Sequence, residues 1–125
     1  MGYHDLEIWK IANDLVNDIH EMTIKDLPKF EMFESGSQIR RSAKSIKSNI
    51  VEGYGRRKYK MEFLHFLSIS YASLMETNDH LETLFQTKSL IDKKKYDNLH
   101  ELLDKLGRKL NLFIQSVEKN HQSRK

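Results

Sequence analysis

The stretch that decides the fold is "SQIRRSAKSIKSNIVEGYGRRK", residues 37–58. It sets seven lysines and arginines against one acid, Glu52, and threads Ile39, Ala43, Ile46, Ile50 and Gly53 through them at steps of 4, 3, 4 and 3. Such spacing returns to the same side of a helix at every turn. At about 100° per residue the helix acquires three faces. One is the apolar seam, one is a basic flank of Arg40, Lys44 and Lys47, and the third is a small polar flank of Ser42, Ser45, Asn49 and Glu52.

Three more seams lie on either side of it. Ile8, Ala12, Leu15, Ile19 and Met22 run until Lys25-Asp26-Leu27-Pro28 stops them. Leu64, Leu67, Tyr71, Leu74, Asn78, Leu81 and Phe85 form another, and Tyr96, Leu99, Leu103, Leu106, Leu110, Phe113 and Val117 the last. Breakers are sparse, with Pro28 the one proline and five glycines in all, and the second helix is expected to end near Gly53-Tyr54-Gly55. No run alternates with period two long enough to make a strand. Four amphipathic helices joined by short connections hide their stripes best against each other, so the expected fold is all-α, an antiparallel up-down four-helix bundle.

The 125 residues suit one core, since a chain of this size removes roughly two thirds of its surface from water on folding. The expected organisation is one domain over 1–118 with a polar tail over 119–125. There is no cysteine, so neither disulfides nor thiolate metal sites hold the fold. The N-terminus lacks a signal-peptide pattern and no segment reaches membrane-spanning length, which predicts a cytoplasmic protein without a membrane partner. Net charge is only +3, yet residues 35–60 carry eight cations against Glu52 alone, so the charge is polarised along the chain.

The basic flank has two readings. It is a solvated face, the ordinary fate of a charge run, or a surface that meets phosphate. A face selected for solubility mixes signs, whereas like charges at i,i+4 such as Arg40 and Lys44 repel, and an external anion would offset that repulsion. The Ser45, Asn49, Glu52 flank reads as structural, because small polar groups let helices approach and hydrogen-bond. On the third helix a second stripe of Phe66, Ile69, Ser73 and Glu76 points to a subunit interface, since large apolar groups there would otherwise be wet.

Signals for catalysis are thin. Glu62-x-x-His65 and Asp97-x-x-His100 have the i,i+3 spacing of di-metal bundles, but the seams supply no further inward carboxylates. No phosphate loop precedes a helix, and no serine sits in a nucleophile motif. No metal, cofactor or catalytic residue is therefore assigned. Trp9 reads as a core anchor flanking the first seam.

Asp5-Leu6-Glu7-Ile8-Trp9, Leu27-Pro28-Lys29-Phe30-Glu31, "QIRRSAKSI" at 38–46, "SNIVEGYGR" at 48–56, Phe63-Leu64-x-Phe66-Leu67 and Ser73-Leu74-x-Glu76-Thr77 occur in that order. Together they closely resemble the bacterial four-helix bundle proteins encoded in intervening sequences of 23S rRNA genes. Accessory proteins of diversity-generating retroelements look like relatives of that bundle. The resemblance implies a homopentamer with a basic surface that binds nucleic acid and, in the retroelement branch, a reverse transcriptase partner. The chain departs from the pattern at Glu34-Ser35, where Gly-Leu is usual, at Lys47, where proline is usual, and at Ala72, where glycine is usual.

The combined reading is a non-enzymatic oligomer that binds RNA or DNA backbone through Arg40, Arg41, Lys44, Lys47, Arg56 and Arg57. A protein-interaction scaffold whose basic face docks an acidic partner is the alternative. A bundle metalloenzyme ranks third.

Overall fold

The computed structural model describes residues 2–121. A short 3-10 turn at Tyr3–Asp5 leads into helix α1 (Glu7–Lys25), and a second one at Lys29–Glu31 leads into α2 (Ser35–Gly55). Helices α3 (Lys60–Gln86) and α4 (Lys93–Asn120) complete the chain, and no strand occurs among the described residues. The protein is all-α, four helices around one shared core.

The seams of α1, α2 and α4 face that core. Ile8, Ala12, Leu15, Ile19 and Met22 are buried, as are Ile39, Ala43, Ile46 and Ile50, and Leu99, Leu103, Leu106, Leu110 and Val117. Tyr96 and Phe113, at the edges of the α4 seam, are half-buried. Leu15, Ile46, Leu67 and Leu106 are wholly removed from water. Burying such side chains contributes about 1.5–3 kcal/mol each.

Helix α3 differs from its expected seam. The buried set is Phe63, Leu67, Ser70, Ser73, Leu74, Thr77, Leu81 and Leu84, while Leu64, Tyr71, Asn78 and Phe85 stand half-buried at its edge. The reason is chemical. Helix α3 packs on α2 through hydroxyls that a count of apolar residues passes over. The Ser70 hydroxyl donates to the Ile46 carbonyl at 2.7 Å, and Ser45 and Ser73 share a hydrogen bond of 2.8 Å. The Thr77 hydroxyl stands 2.8 Å from Ser42 Oγ and 2.7 Å from the Ser73 carbonyl. Partner numbers rise along α2 as they fall along α3.

Helix α2 ends at Gly55, within the Gly53-Tyr54-Gly55 stretch expected to end it, and Gly53 lies buried inside its last turn. A Cβ there would come within 3.2 Å of Phe66 Cβ and 3.3 Å of the Phe63 carbonyl, so its lack of a side chain lets α3 cross closely. Gly36 is tighter still, because a Cβ would meet the Glu31 carbonyl oxygen at 2.5 Å. That close approach locks the α1–α2 connection against the first turn of α2. Buried Glu31 then accepts a hydrogen bond from Ser89, which ties this connection to the one between α3 and α4. The same connection leaves Phe30 and Phe33 exposed, Phe33 at 89%.

Helix α4 begins at Asp92, whose carboxylate accepts from the Lys95 N–H at 3.2 Å as an N-cap. It continues through Asn120, two residues into the stretch expected as a polar tail. The His121 ring packs edge-on against Phe63 at 5.3 Å between centroids. Residues 122–125 of the expected tail lie outside the described residues. Among the described residues no helix is long and apolar enough to cross a membrane.

Replacing Leu103 by Ala should cost about 2–5 kcal/mol as a fully buried truncation. Gly36→Ala should cost about 1–3 kcal/mol by overpacking a backbone oxygen that cannot yield. Urea unfolding followed by circular dichroism checks both, and a silent Gly36→Ala would refute the close approach.

Candidate nucleic-acid interface

The six cations predicted at the interface divide into two groups. Arg40 turns inward, where Nη1 donates to Thr23 Oγ1 of α1 at 2.9 Å and Nη2 to the Met32 carbonyl of the α1–α2 connection at 2.7 Å. Thr23 in turn donates to the His20 carbonyl at 2.9 Å. Lys47 likewise crosses to α1, donating to Asn13 Oδ1 at 2.9 Å with its ammonium 5.7 Å from the centroid of the Trp9 ring. Trp9 is half-buried beside the first seam, packed edge-on against Tyr3 and His4. Its Nε1–H is buried without a hydrogen-bond partner among the described residues.

The flank expected to carry Arg40, Lys44 and Lys47 outward is thus mostly the seam between α1 and α2. Neutral acceptors and a ring face, rather than an external anion, offset the clustering of its charges. No acid is needed beside them for that reason.

Arg56 is exposed but committed. Nη1 donates to Glu62 at 2.9 Å and Nε to Glu52 at 3.3 Å, and the guanidinium carbon lies 5.0 Å from the Phe66 ring centroid. The hydrogen bonds to Glu62 and then Glu52 raise its pKa further above an already high value. The two carboxylates also answer its charge, so Arg56 offers an incoming phosphate little.

Arg41 and Lys44 remain exposed and carry no hydrogen bond or ion pair among the described residues, and Lys58 is like them. Arg57 is exposed too, donating to the Tyr54 carbonyl at 2.9 Å with its guanidinium 4.1 Å from the centroid of that residue's ring. Positions 41, 44, 48, 52 and 55 all face solvent along one line of α2. That line covers roughly 21 Å of helix axis before the turn carries it on to Arg57 and Lys58. Sequence reading passed over Lys58, and the ring packing of Arg57 on Tyr54 as well. The basic run itself held that signal.

The subunit-interface stripe also divides. Ser73 is buried in the α2–α3 seam, Phe66 is half-buried beneath Arg56, Ile69 is half-buried, and only Glu76 is exposed, 3.6 Å from His80 Nε2. Ser73 belongs to the interior because its hydroxyl has a partner on α2. Apolar side chains more exposed than those of the stripe stand along α3 instead. Met61, at 75% exposure, and Met75, at 60%, flank a groove lined also by Leu64, Tyr71 and Ile114.

Among the described residues no three or more His, Asp or Glu side chains come together in a group that could hold a metal ion. Glu62 is held by Arg56, His65 lies against the Phe66 ring, Asp97 pairs with Lys93 at 2.8 Å, and His100 sits beside Tyr96.

Arg40→Gln should destabilise the fold by about 1–3 kcal/mol, since it strands the Met32 carbonyl and removes the tie to Thr23. Lys44→Gln should leave stability within about 0.5 kcal/mol, as surface changes do. Paired urea titrations measure both. Equal effects would mean that Arg40 is as free as Lys44.

The model of the family described as 23S rRNA-intervening sequence protein matches residues 4–112. No curated protein matches the chain. Among solved structures, a protein of unknown function from the S23 ribosomal protein family of Bacteroides thetaiotaomicron VPI-5482 is similar, with a TM-score of 0.77 and 21% identity. The match covers 86% of this chain and 98% of that one. At that identity the likeness shows the fold.

Proposed function

We propose that this chain, which belongs to the 23S rRNA-intervening sequence protein family, is a non-enzymatic nucleic-acid-binding protein that neutralises the RNA or DNA backbone through Arg41, Lys44, Arg57 and Lys58. One observation carries the reading. These four cations are exposed on the outer line of α2 and its following turn, and the nearby acids Glu52 and Glu62 are both taken by Arg56. Arg40 and Lys47 support the surface from below by fixing α2 on α1. Backbone contact rather than base reading is the dominant contribution, since long cations on an open face meet phosphate without selecting sequence.

In this proposal the helices form an antiparallel up-down bundle and the protein acts as a homo-oligomer, with the pentamer that the family resemblance implies. The α3–α4 groove, with Met61 and Met75 exposed along it, takes the neighbouring copy. Assembly would repeat the basic line in every subunit, and weak interactions then add through effective concentration.

Counterion release makes such binding fall steeply with salt. Changing Arg41, Lys44 and Arg57 together to Gln should lower the magnitude of the log K against log salt slope by about three per protomer engaged, roughly one for each phosphate no longer neutralised. Changing Lys93, Lys94 and Lys95 to Gln should leave it much closer to wild type. Fluorescence anisotropy with a single-stranded RNA and a duplex DNA measures both. If the two triple variants bind alike, or if only acidic proteins bind the basic line, the nucleic-acid reading falls.

Met75→Glu should dissociate the assembly, because an unpaired charge in an interface loses water without gaining a partner. Light scattering reads the mass. A monomeric wild type would refute the oligomer.

A further inference from the structure

Between α2 and α3, beside the basic line, lies a cleft of about 440 Å³ lined by Gln38, Arg41, Ser42, Ser45, Glu76 and His80. It falls within the range of about 300–1,000 Å³ common for small-ligand sites. It exists because α2 and α3 meet through serines, whose short side chains leave room where leucines would fill it. Two of its hydroxyls are already committed, Ser42 within hydrogen-bond reach of the Ile39 carbonyl and of Thr77, Ser45 within reach of Ser73. Its free capacity lies at the rim.

Arg41 and Glu76 both line the cleft, yet no ion pair within 4.0 Å joins them among the described residues. Glu76 meets His80 at 3.6 Å along its own helix, and Arg41 has no partner among the described residues. Opposite charges thus face a shared gap, with the Glu76 carboxylate and His80 on the α3 wall and the Arg41 guanidinium and Gln38 amide on the α2 wall. Such a gap disfavours a bare anion, which Glu76 would repel, and a bare cation, which Arg41 would repel. It suits a planar neutral group with donors along one edge and acceptors beside them.

We propose that this cleft takes a guanine base from the bound strand. Guanine alone among the common bases presents two adjacent donors, N1–H and the N2 amino group, next to an acceptor pair at O6 and N7. A carboxylate accepts both donors, and a guanidinium or the Gln38 amide donates to the acceptors. Adenine would turn a lone pair at N1 toward Glu76, and uracil has one donor between two acceptors. Arg41 stands on the basic line and on the cleft rim at once, so a strand held by Lys44 and Arg57 has a base within reach of it. The inference rests on the nucleic-acid reading above and adds a base preference to it.

The test uses the full chain and three single-stranded 12-mers of uridine with one central guanosine, inosine or adenosine. The guanosine strand should bind about fivefold tighter than the inosine strand, which lacks only the N2 amino group, the low end of base discrimination because the cleft is open. Glu76→Gln keeps the shape but turns one acceptor into a donor, and should bring that ratio to about one. Circular dichroism confirms that the variant is folded, and Gln38→Ala should weaken the guanosine and inosine strands alike, since both carry O6 and N7, and so narrow their lead over the adenosine strand. Titration with guanosine monophosphate alone separates the sources of the base. Weak binding that Glu76→Gln removes, without any strand binding, would keep the cleft chemistry but overturn both the strand as its source and the nucleic-acid reading. Equal affinity for the three strands, or a preference that survives Glu76→Gln, would overturn the guanine cleft while leaving backbone binding in place.

Discussion

Helices α2 and α3 meet through hydroxyls and a glycine, and the rest of the molecule is arranged around that junction. Ser42, Ser45, Ser70, Ser73 and Thr77 pair across it or bond to its carbonyls, and Gly53 admits α3 at the end where Phe63 and Phe66 cross. A buried hydroxyl without a partner costs about 1–3 kcal/mol, so sliding α3 along α2 would forfeit several such bonds together. Apolar packing tolerates small displacements; a ladder of hydroxyl pairs does not. The junction therefore sets the register of the helix pair and, with it, which residues of α2 are left outside.

What is left outside is a line of positions whose cations have no internal use. Arg40 and Arg41 are neighbours of the same chemistry with opposite fates, because one points to Thr23 and the Met32 carbonyl and the other past the edge of α3. Lys44 and Lys47 repeat the division one turn on, Lys47 ending on Asn13 and Trp9. Charge that is neutralised inside holds α2 against α1. Charge left outside stays exposed to solvent, and Arg56 occupies the nearby acids Glu52 and Glu62. Exposed cations and a firmly anchored helix thus come from one run of basic residues.

The two connections at the far end of the molecule show a similar economy. Glu31, buried and bonded to Ser89, joins the α1–α2 connection to the α3–α4 connection, while Gly36 lets the chain turn tightly into α2. At the opposite end His121 packs on Phe63 and Lys60 donates to the Glu118 carbonyl at 2.6 Å, closing α4 over the α2–α3 turn. Both ends are held by polar contacts over an apolar core. A solved structure shares the fold at 21% identity, consistent with apolar pattern and helix length carrying more of the fold than individual side chains do.

The four helices and three of their four buried faces were legible in the sequence, because an aliphatic stripe at helical spacing has one low-energy destination, an apolar core. The seam Ile39, Ala43, Ile46, Ile50 and the run Leu99, Leu103, Leu106, Leu110 lie where their periodicity put them. The third helix was legible only in part, since Ser70, Ser73 and Thr77 look like solvent residues until another helix supplies their partners. The same holds for the candidate site. Composition and spacing determined that residues 37–55 form a basic, amphipathic helix. Only the tertiary structure decided which of its cations are free, because a side chain of Arg or Lys length reaches whatever acceptor the neighbouring helix offers, and no position in the sequence states where Thr23, Asn13 or Glu62 will stand.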